Sequence, residues 1–266
     1  MTIVPFEPNR FRSTAAYYTR YRVPYPDELI VRITEWTGLK PGGRLLDLGC
    51  GPGPLGIAFA RLSGADVTGM DPEPEMIAAA AQDAEEAGVA IRLRQGSSYD
   101  LGPDLGKLHL TVMGRSFHWM DRSATLEVLD TLIEPGGAVV LFHDRHIASS
   151  PNWRTVLHQL TETFSPERHS EQMLRRGPNW LPHEAILLRS PFRKLERIGI
   201  LRERMLTIED VIGRALSSSV TSPQALGERT AEFEEALRSE LLRIARDGSL
   251  TEIVEVNGLR AFRSEA

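Results

Sequence analysis

Cysteine is nearly missing from this 266-residue sequence. Cys50 stands alone, which excludes an internal disulfide framework and a zinc site built from several thiolates. No run approaches the roughly 20 apolar residues that a bilayer-spanning helix needs. A surplus of positive charge is also lacking. With 31 basic and 36 acidic side chains the formal net charge is −5, which excludes a basic nucleic-acid coat and falls short of a disordered acidic tail. There are no internal repeats or low-complexity tracts to suggest an array or a linker. The opening stretch MTIVPFEPNRFRST has no apolar core and does not read as a secretion signal. The expectation is a soluble cytoplasmic protein with a reduced thiol, with neither membrane nor nucleic acid as partner.

What is present is length enough to bury roughly three quarters of the unfolded surface. Aromatic residues are only 7% of the chain, but the polar aromatics are unevenly spread. Four of the five tyrosines lie between Tyr17 and Tyr25, and five of the seven histidines between His143 and His183.

The first half alternates helix and strand signals. Leu29, Ile33 and Trp36 have helical spacing over 27–37, closed by Gly38 and Pro41. Leu45, Leu46 and Leu48 make a short strand, followed by a glycine-rich turn and a helix from about Pro54 to the cap at Gly64. A strand at 66–70 and an alanine-rich helix at 73–87 follow. Ile91 and Leu93 mark a third strand, and Leu108, Leu110 and Val112 a fourth. A helix from Asp121 then buries Leu126, Leu129 and Ile133, and Gly136-Gly137 turns into a fifth strand at 138–142. This alternation predicts an α/β fold with a parallel sheet covered on both faces. After Phe142 the rhythm breaks. A helix is predicted over 152–164, an irregular stretch over 165–190, a strand over 192–205 and a helix over 207–217. A long helix opens at Pro223, and Asn257-Gly258 reads as a hairpin or a bulge between two last apolar runs. The whole chain, 1–266, reads as one domain. It comprises an arm and helix (1–37), a core (38–142), an insertion (143–190) and closing strands and helices (191–266).

The most informative stretch is Leu45-Leu46-Asp47-Leu48-Gly49-Cys50-Gly51-Pro52-Gly53. Gly51-x-Gly53-x-x-Gly56 satisfies the dinucleotide fingerprint, with Asp71 about 20 residues on, where a ribose-binding acid belongs. NAD is therefore one reading. Against it, Pro52 and Pro54 each remove a backbone N–H that a pyrophosphate would use, and Asp47 at the strand end suits a cationic ligand better than a diphosphate.

The same segment resembles the first motif of class I S-adenosylmethionine-dependent methyltransferases, in their type-11-like small-molecule branch. Val67-Thr68-Gly69-Met70-Asp71-Pro72 with Glu75-Met76-Ile77, Gln95-Gly96-Ser97-Ser98-Tyr99-Asp100, Ser116-Phe117-His118-Trp119-Met120-Asp121 and Glu134-Pro135-Gly136-Gly137 follow in that family's order. The histidine–tryptophan segment is similar to that of trans-aconitate methyltransferase relatives and natural-product enzymes. His109, Ser98 and Tyr99 depart from the usual pattern. The resemblance implies a Rossmann-like, doubly wound, mostly parallel seven-stranded sheet with a helical lid after strand five. It implies S-adenosyl-L-methionine as cofactor and methyl transfer to nitrogen or oxygen of a small molecule, a specialised metabolite. A catalytically inactive cofactor-binding regulator and an NAD-linked oxidoreductase are the competing readings.

By the same resemblance, Tyr21, Arg22, Asp47, Gly49, Gly51, Asp71, Pro72, Met76, Ser97 and Ser98 are the cofactor-binding candidates. Asp47 has a second reading, as the residue that fixes the glycine loop. His118 is the candidate general base, its alternative being a local hydrogen bond with Trp119 packed beneath it. His143-Asp144-Arg145-His146 follows strand five at the carboxyl edge, where open α/β sheets bind ligands. Asp144 is the second catalytic candidate, and two histidines with one aspartate are too few to nominate a metal. Tyr18, His143, His146, Trp153 and Trp180 are the substrate candidates. Within 143–185, Arg145, Arg154, Arg168, Arg175 and Arg176 balance Asp144, Glu162, Glu167, Glu171 and Glu184, so acceptor charge is not set by composition. Oligomeric state has no motif, and a homodimer stays open.

Overall fold

The computed structural model describes residues 14–174, 177–178 and 180–264. Seven strands form one sheet: β1 (Arg44–Leu48), β2 (Asp66–Asp71), β3 (Arg92–Gln95), β4 (Leu108–Gly114), β5 (Ile133–Ile147), β6 (Lys194–Thr207) and β7 (Ser249–Phe262), in the order β3-β2-β1-β4-β5-β7-β6. The five strands from β3 to β5 run parallel, and β7 pairs antiparallel with both β5 and β6. The strand order reverses between β1 and β4, which places a topological switch point at their carboxyl ends.

The helices are α1 (Ala15–Tyr21), α2 (Asp27–Thr37), α3 (Pro54–Ser63), α4 (Pro74–Glu86), α5 (Arg122–Leu132), α6 (Trp153–Phe164), α7 (Pro166–Leu174), α8 (His183–Leu187), α9 (Ile208–Leu216), α10 (Pro223–Leu226) and α11 (Thr230–Ile244). Because side chains alternate along a strand, Ala138, Val140 and Phe142 of β5 join α2 and α3 in one core, with Leu29, Ile33 and Phe59. Val139 and Leu141 face the other side and pack with Leu126 and Leu129 of α5 and Leu187 of α8. The sheet is thus covered on both faces. A third core joins Trp153 of α6, Val211 and Ala215 of α9 and Phe233, Leu237 and Leu241 of α11. No helix of the described residues is long and apolar enough to cross a membrane.

Five expectations are corrected. Gly136-Gly137 does not end an element; both glycines lie within β5, where the register against β4 shifts between Leu108 and Leu110. β5 also runs on to Ile147, so His143 to His146 belong to a strand paired with β7. Asn257-Gly258 is no hairpin: Asn257 pairs with His143 on one side and Gly199 on the other. Gly258 is there because Ile33 Cδ1 would lie 2.4 Å from any Cβ. Finally, the irregular 165–190 stretch contains α7 and α8, and the long final helix breaks at Gly227, whose φ of +57° interrupts it before α11.

Candidate active site

The switch point holds a cavity of about 820 Å³, within the range of small-molecule sites. Its floor is the loop after β1. Gly49, Gly51 and Gly53 all have positive φ, which glycine alone adopts without strain. A Cβ on Gly49 would lie 2.6 Å from Cβ of Ser116, whose hydroxyl donates to the Leu48 carbonyl at 2.7 Å. The loop's amides are spent on the protein itself. Gly49 and Cys50 donate to Met70 O, Gly51 to Asp71 Oδ2 and Gly53 to Cys50 O. Pro52 and Pro54 have none to give.

Asp71 ends β2 on the cavity wall. It is buried, with Oδ2 accepting from Gly51 N at 2.9 Å and Oδ1 from Glu73 N at 3.0 Å. Each oxygen keeps a second lone-pair direction. Burial pushes its pKa up, against the pull of those two amides. Pro72 and Met76 line the wall beside it. Beyond β3, Ser97 and Ser98 line the next stretch, and Ser97 caps a short turn closed by Asp100, which accepts from the Ser97 amide at 2.8 Å and hydroxyl at 2.9 Å. Those bonds hold the Asp100 pKa down.

Asp47 lies off the wall, buried beneath the loop, where Oδ2 accepts from Gly56 N at 2.8 Å and Oδ1 has no hydrogen-bond partner. Burial raises its pKa to about 7, only partly opposed by that bond. It meets the loop through Gly56 and does not line the cavity.

The opposite wall comes from β4, β5 and the helices beyond. His118 lines the cavity from a single turn at 117–119, its ring 5.0 Å from Trp119 and 6.4 Å from His183. Asp144 lines it too, but bonded to Arg115 Nη2 at 2.8 Å. Arg115 was not anticipated. It has a φ of +59°, donates also to Val23 O at 2.6 Å and rests its guanidinium 4.5 Å over the Tyr25 ring. No periodicity or spacing announces it, because only the tertiary partners hold a non-glycine residue in that conformation. His143 and His146 reach the wall from β5, with His146 Nδ1 3.3 Å from the buried Glu252. Trp180 lines it under the Arg122 guanidinium, 4.0 Å from the ring centroid.

The tyrosine arm divides. Tyr18 and Arg22 line the cavity, with Arg22 5.0 Å over the Tyr18 ring and bonded to Ser217 O at 2.9 Å. Tyr21 does not; its ring lies on Gly213 of α9, where a Cβ would meet it at 2.4 Å. Trp153 is also off the wall, 1% exposed within the third core. His109 joins the start of β5 to the end of α2, bonding Glu134 Oε1 at 2.7 Å and Thr37 O at 2.8 Å.

Residues 45–137 match the family described as "Methyltransferase domain". A ubiquinone biosynthesis O-methyltransferase of Azorhizobium caulinodans is 36% identical over 107 residues, 39% of this chain and 42% of that protein. The chain spans about two fifths of the length of the curated relatives it matches. Among solved structures, S-adenosyl-L-homocysteine complexes of SAM-dependent methyltransferases from Thiobacillus denitrificans and Geobacter sulfurreducens share the fold. Each is 18% identical and covers 97% of this chain and 99% of the other, with TM-scores of 0.57 and 0.56. The domain match thus covers the chain from β1 to the start of β5, and the strand order and the solved structures show that the fold is the one these methyltransferases share.

Proposed function

We propose that the protein transfers a methyl group from S-adenosyl-L-methionine to a nitrogen or oxygen atom of a small molecule, a specialised metabolite. The observation that carries this is the glycine loop. It allows close approach while keeping four amides bonded internally and two positions as proline, which leaves no cradle for a dinucleotide's pyrophosphate but suits a ligand without phosphates. Asp71, with its remaining lone pairs at the β2 end, is placed for the ribose hydroxyls. Ser97 and Ser98 would border the adenine, and Tyr18 and Arg22 would close over the amino-acid end. Gly49, Gly51, Pro72 and Met76 shape the floor.

When bound, the cofactor supplies a methyl already activated on a sulfonium. The protein's task is then alignment and exclusion of water, and orientation of this kind supplies about 7–11 kcal/mol of barrier reduction. His118 faces the acceptor side of the cavity, where its imidazole takes the proton of a hydroxyl as it attacks, or of an ammonium group to free the amine that attacks. Asp144, fixed by Arg115, orients the acceptor with His143 and His146, and Trp180 covers it.

Calorimetry tests the cofactor: S-adenosylhomocysteine should bind and NAD should not, and the reverse would end this reading. Asp71→Ala should weaken S-adenosylhomocysteine at least tenfold. His118→Ala should lower turnover about 100-fold with that affinity unchanged. A metabolite screen with labelled methyl donor identifies the acceptor, and cofactor binding without any labelled product would favour a regulatory role.

A further inference from the structure

An open sheet presents unpaired backbone groups along both of its edges. The β3 edge is blunt, at four residues. The β6 edge is 14 residues long, contains no proline and keeps an unbroken register against β7. Among the described residues no strand pairs with its outer side, so alternate residues turn their N–H and C=O groups outward. Two large apolar side chains stand exposed on this strand, Leu201 at 59% and Met205 at 63%. Charged residues lie between them, and charge is a usual guard against stray pairing. Here the order of the charges also selects a partner.

Opposed residues of an antiparallel pair share one face of the sheet and the same inward or outward backbone groups. A copy of β6 can therefore meet β6 only with odd residues against odd and even against even. One such register, with Ile200 on a two-fold axis, matches the chemistry along the strand. On one face Leu195 falls opposite Met205, Arg197 opposite Glu203, and Leu201 opposite Gly199, which brings no side chain of its own. On the other, Glu196 falls opposite Arg204, and Ile200 opposite itself. Moving the axis to Leu201 sets Arg197 against Met205 and Glu203 against Gly199. Moving it to Gly199 sets Arg197 against Leu201 and Glu203 against Leu195. Neither alternative keeps acid against base on that face.

Contacts within the chain leave this match available. Glu203 is exposed and takes no ion pair within the chain among the described residues. Arg197 holds Glu184 at 2.5 Å with its side chain 48% exposed, and a guanidinium has five donors, enough for a second carboxylate. Glu196 and Arg204 already lean on Arg260 at 3.6 Å and Glu252 at 3.4 Å. Selection of the register therefore falls chiefly on Arg197 with Glu203 and on the apolar pairs, each a cross-strand contact of the kind that stabilises sheets. From this self-complementarity we infer that the β6 edge binds a second copy of the chain, antiparallel about Ile200, in a two-fold dimer with one continuous sheet. Such an interface is isologous and closed, and it leaves only the short β3 edges at the ends.

Sedimentation velocity on the full chain at micromolar concentration should show the mass of two chains. Glu203→Arg sets arginine against arginine on both sides of the axis, and Arg197→Glu sets carboxylate against carboxylate. Each variant should keep the circular dichroism of the parent and raise the dimer dissociation constant at least tenfold. An equimolar mixture of the two variants places an arginine opposite a glutamate at both positions again, and should recover the dimer. A monomeric parent, a dimer indifferent to both variants, or variants that dissociate and fail to recombine would overturn the inference. A ladder of larger species would overturn it too, since two-fold closure stops at two chains.

Discussion

Asp47 is a charge that its surroundings resist. Nothing but the Gly56 amide meets its carboxylate, and burial lifts its pKa from 3.8 to about 7. Because the folded value lies above the unfolded one, the native state holds a proton that the unfolded chain has released. The associated stability is complete below about pH 4 and is lost as pH rises through 7. The loss is on the order of 4 kcal/mol at about 1.4 kcal/mol per pH unit. Asp47→Asn should therefore flatten the stability profile between pH 4.5 and 8 and leave the variant more stable than the parent at pH 8. Urea unfolding at a series of pH values measures this, and a slope that survives in the variant would assign it to another group. Gly49 is constrained differently, by shape. Gly49→Ala would place a methyl 2.6 Å from Cβ of Ser116 at a φ of +70°, a conformation costing about 1–3 kcal/mol for a non-glycine residue. The expected outcome is at least a tenfold loss of S-adenosylhomocysteine affinity by calorimetry; wild-type affinity would show that the loop has room to shift.

At the scale of elements, α1 depends on α9. Tyr21 lies flat on Gly213, and the Arg214 guanidinium Nε donates to the Tyr21 carbonyl at 3.1 Å. That contact seats Tyr18 and Arg22 on the cavity wall. Gly213→Ala should push Tyr21 off α9, raise tryptic cleavage after Arg20 and Arg22, and weaken S-adenosylhomocysteine several-fold. Tyr21→Ala in the same chain should recover part of the affinity, since neighbouring changes that relieve one clash are not additive; strictly additive losses would mean that the two residues do not meet.

The sequence announces the elements whose cause is local. α2 spans 27–37 as Leu29 and Ile33 require, and β1 to β4 follow from short apolar runs closed by glycine. Asp71, Ser97 and His118 are legible because a motif fixes each at a strand end. Length of pairing is not local. β7 passes through Asn257 and Gly258 because β5 and β6 supply antiparallel ladder bonds on both sides, and β5 carries Gly136 and Gly137 where its register against β4 shifts. Turn chemistry loses to that ladder. Trp153 and Tyr21 carry the amphipathic signature of a lid, but their burial depends on α9 and α11, far along the chain. Arg115 has no signal at all. Its conformation is sustained by Val23, Tyr25 and Asp144 together.

Across the whole molecule, the third core meets the sheet at a buried ionic knot. Glu252 of β7, 2% exposed, takes a close ion pair from Arg214 of α9, with Arg204 of β6 at 3.4 Å and His146 of β5 at 3.3 Å. Burial alone would disfavour the Glu252 carboxylate, but His146 and Arg214 outweigh it and hold the pKa at about 2. A folded value below the unfolded 4.5 means that this stability is present above pH 4.5 and is lost as pH falls through 2. Its sign is opposite to that of Asp47, so the two groups bound the protein from both sides. Stability should peak in acid solution, near pH 4, and decline towards both extremes. Glu252→Gln should cost about 3–5 kcal/mol at pH 7, because it leaves the buried Arg214 without its counter-charge, and should remove most of the acid limb while leaving the alkaline limb intact. Because Arg214 also holds Tyr21, the same variant should release α1 and show the tryptic cleavage of Gly213→Ala. Urea unfolding from pH 3 to 8 together with the cleavage assay decides this. An acid limb unchanged in Glu252→Gln would mean that other carboxylates set it, and an intact α1 would mean that the arm is held without the knot.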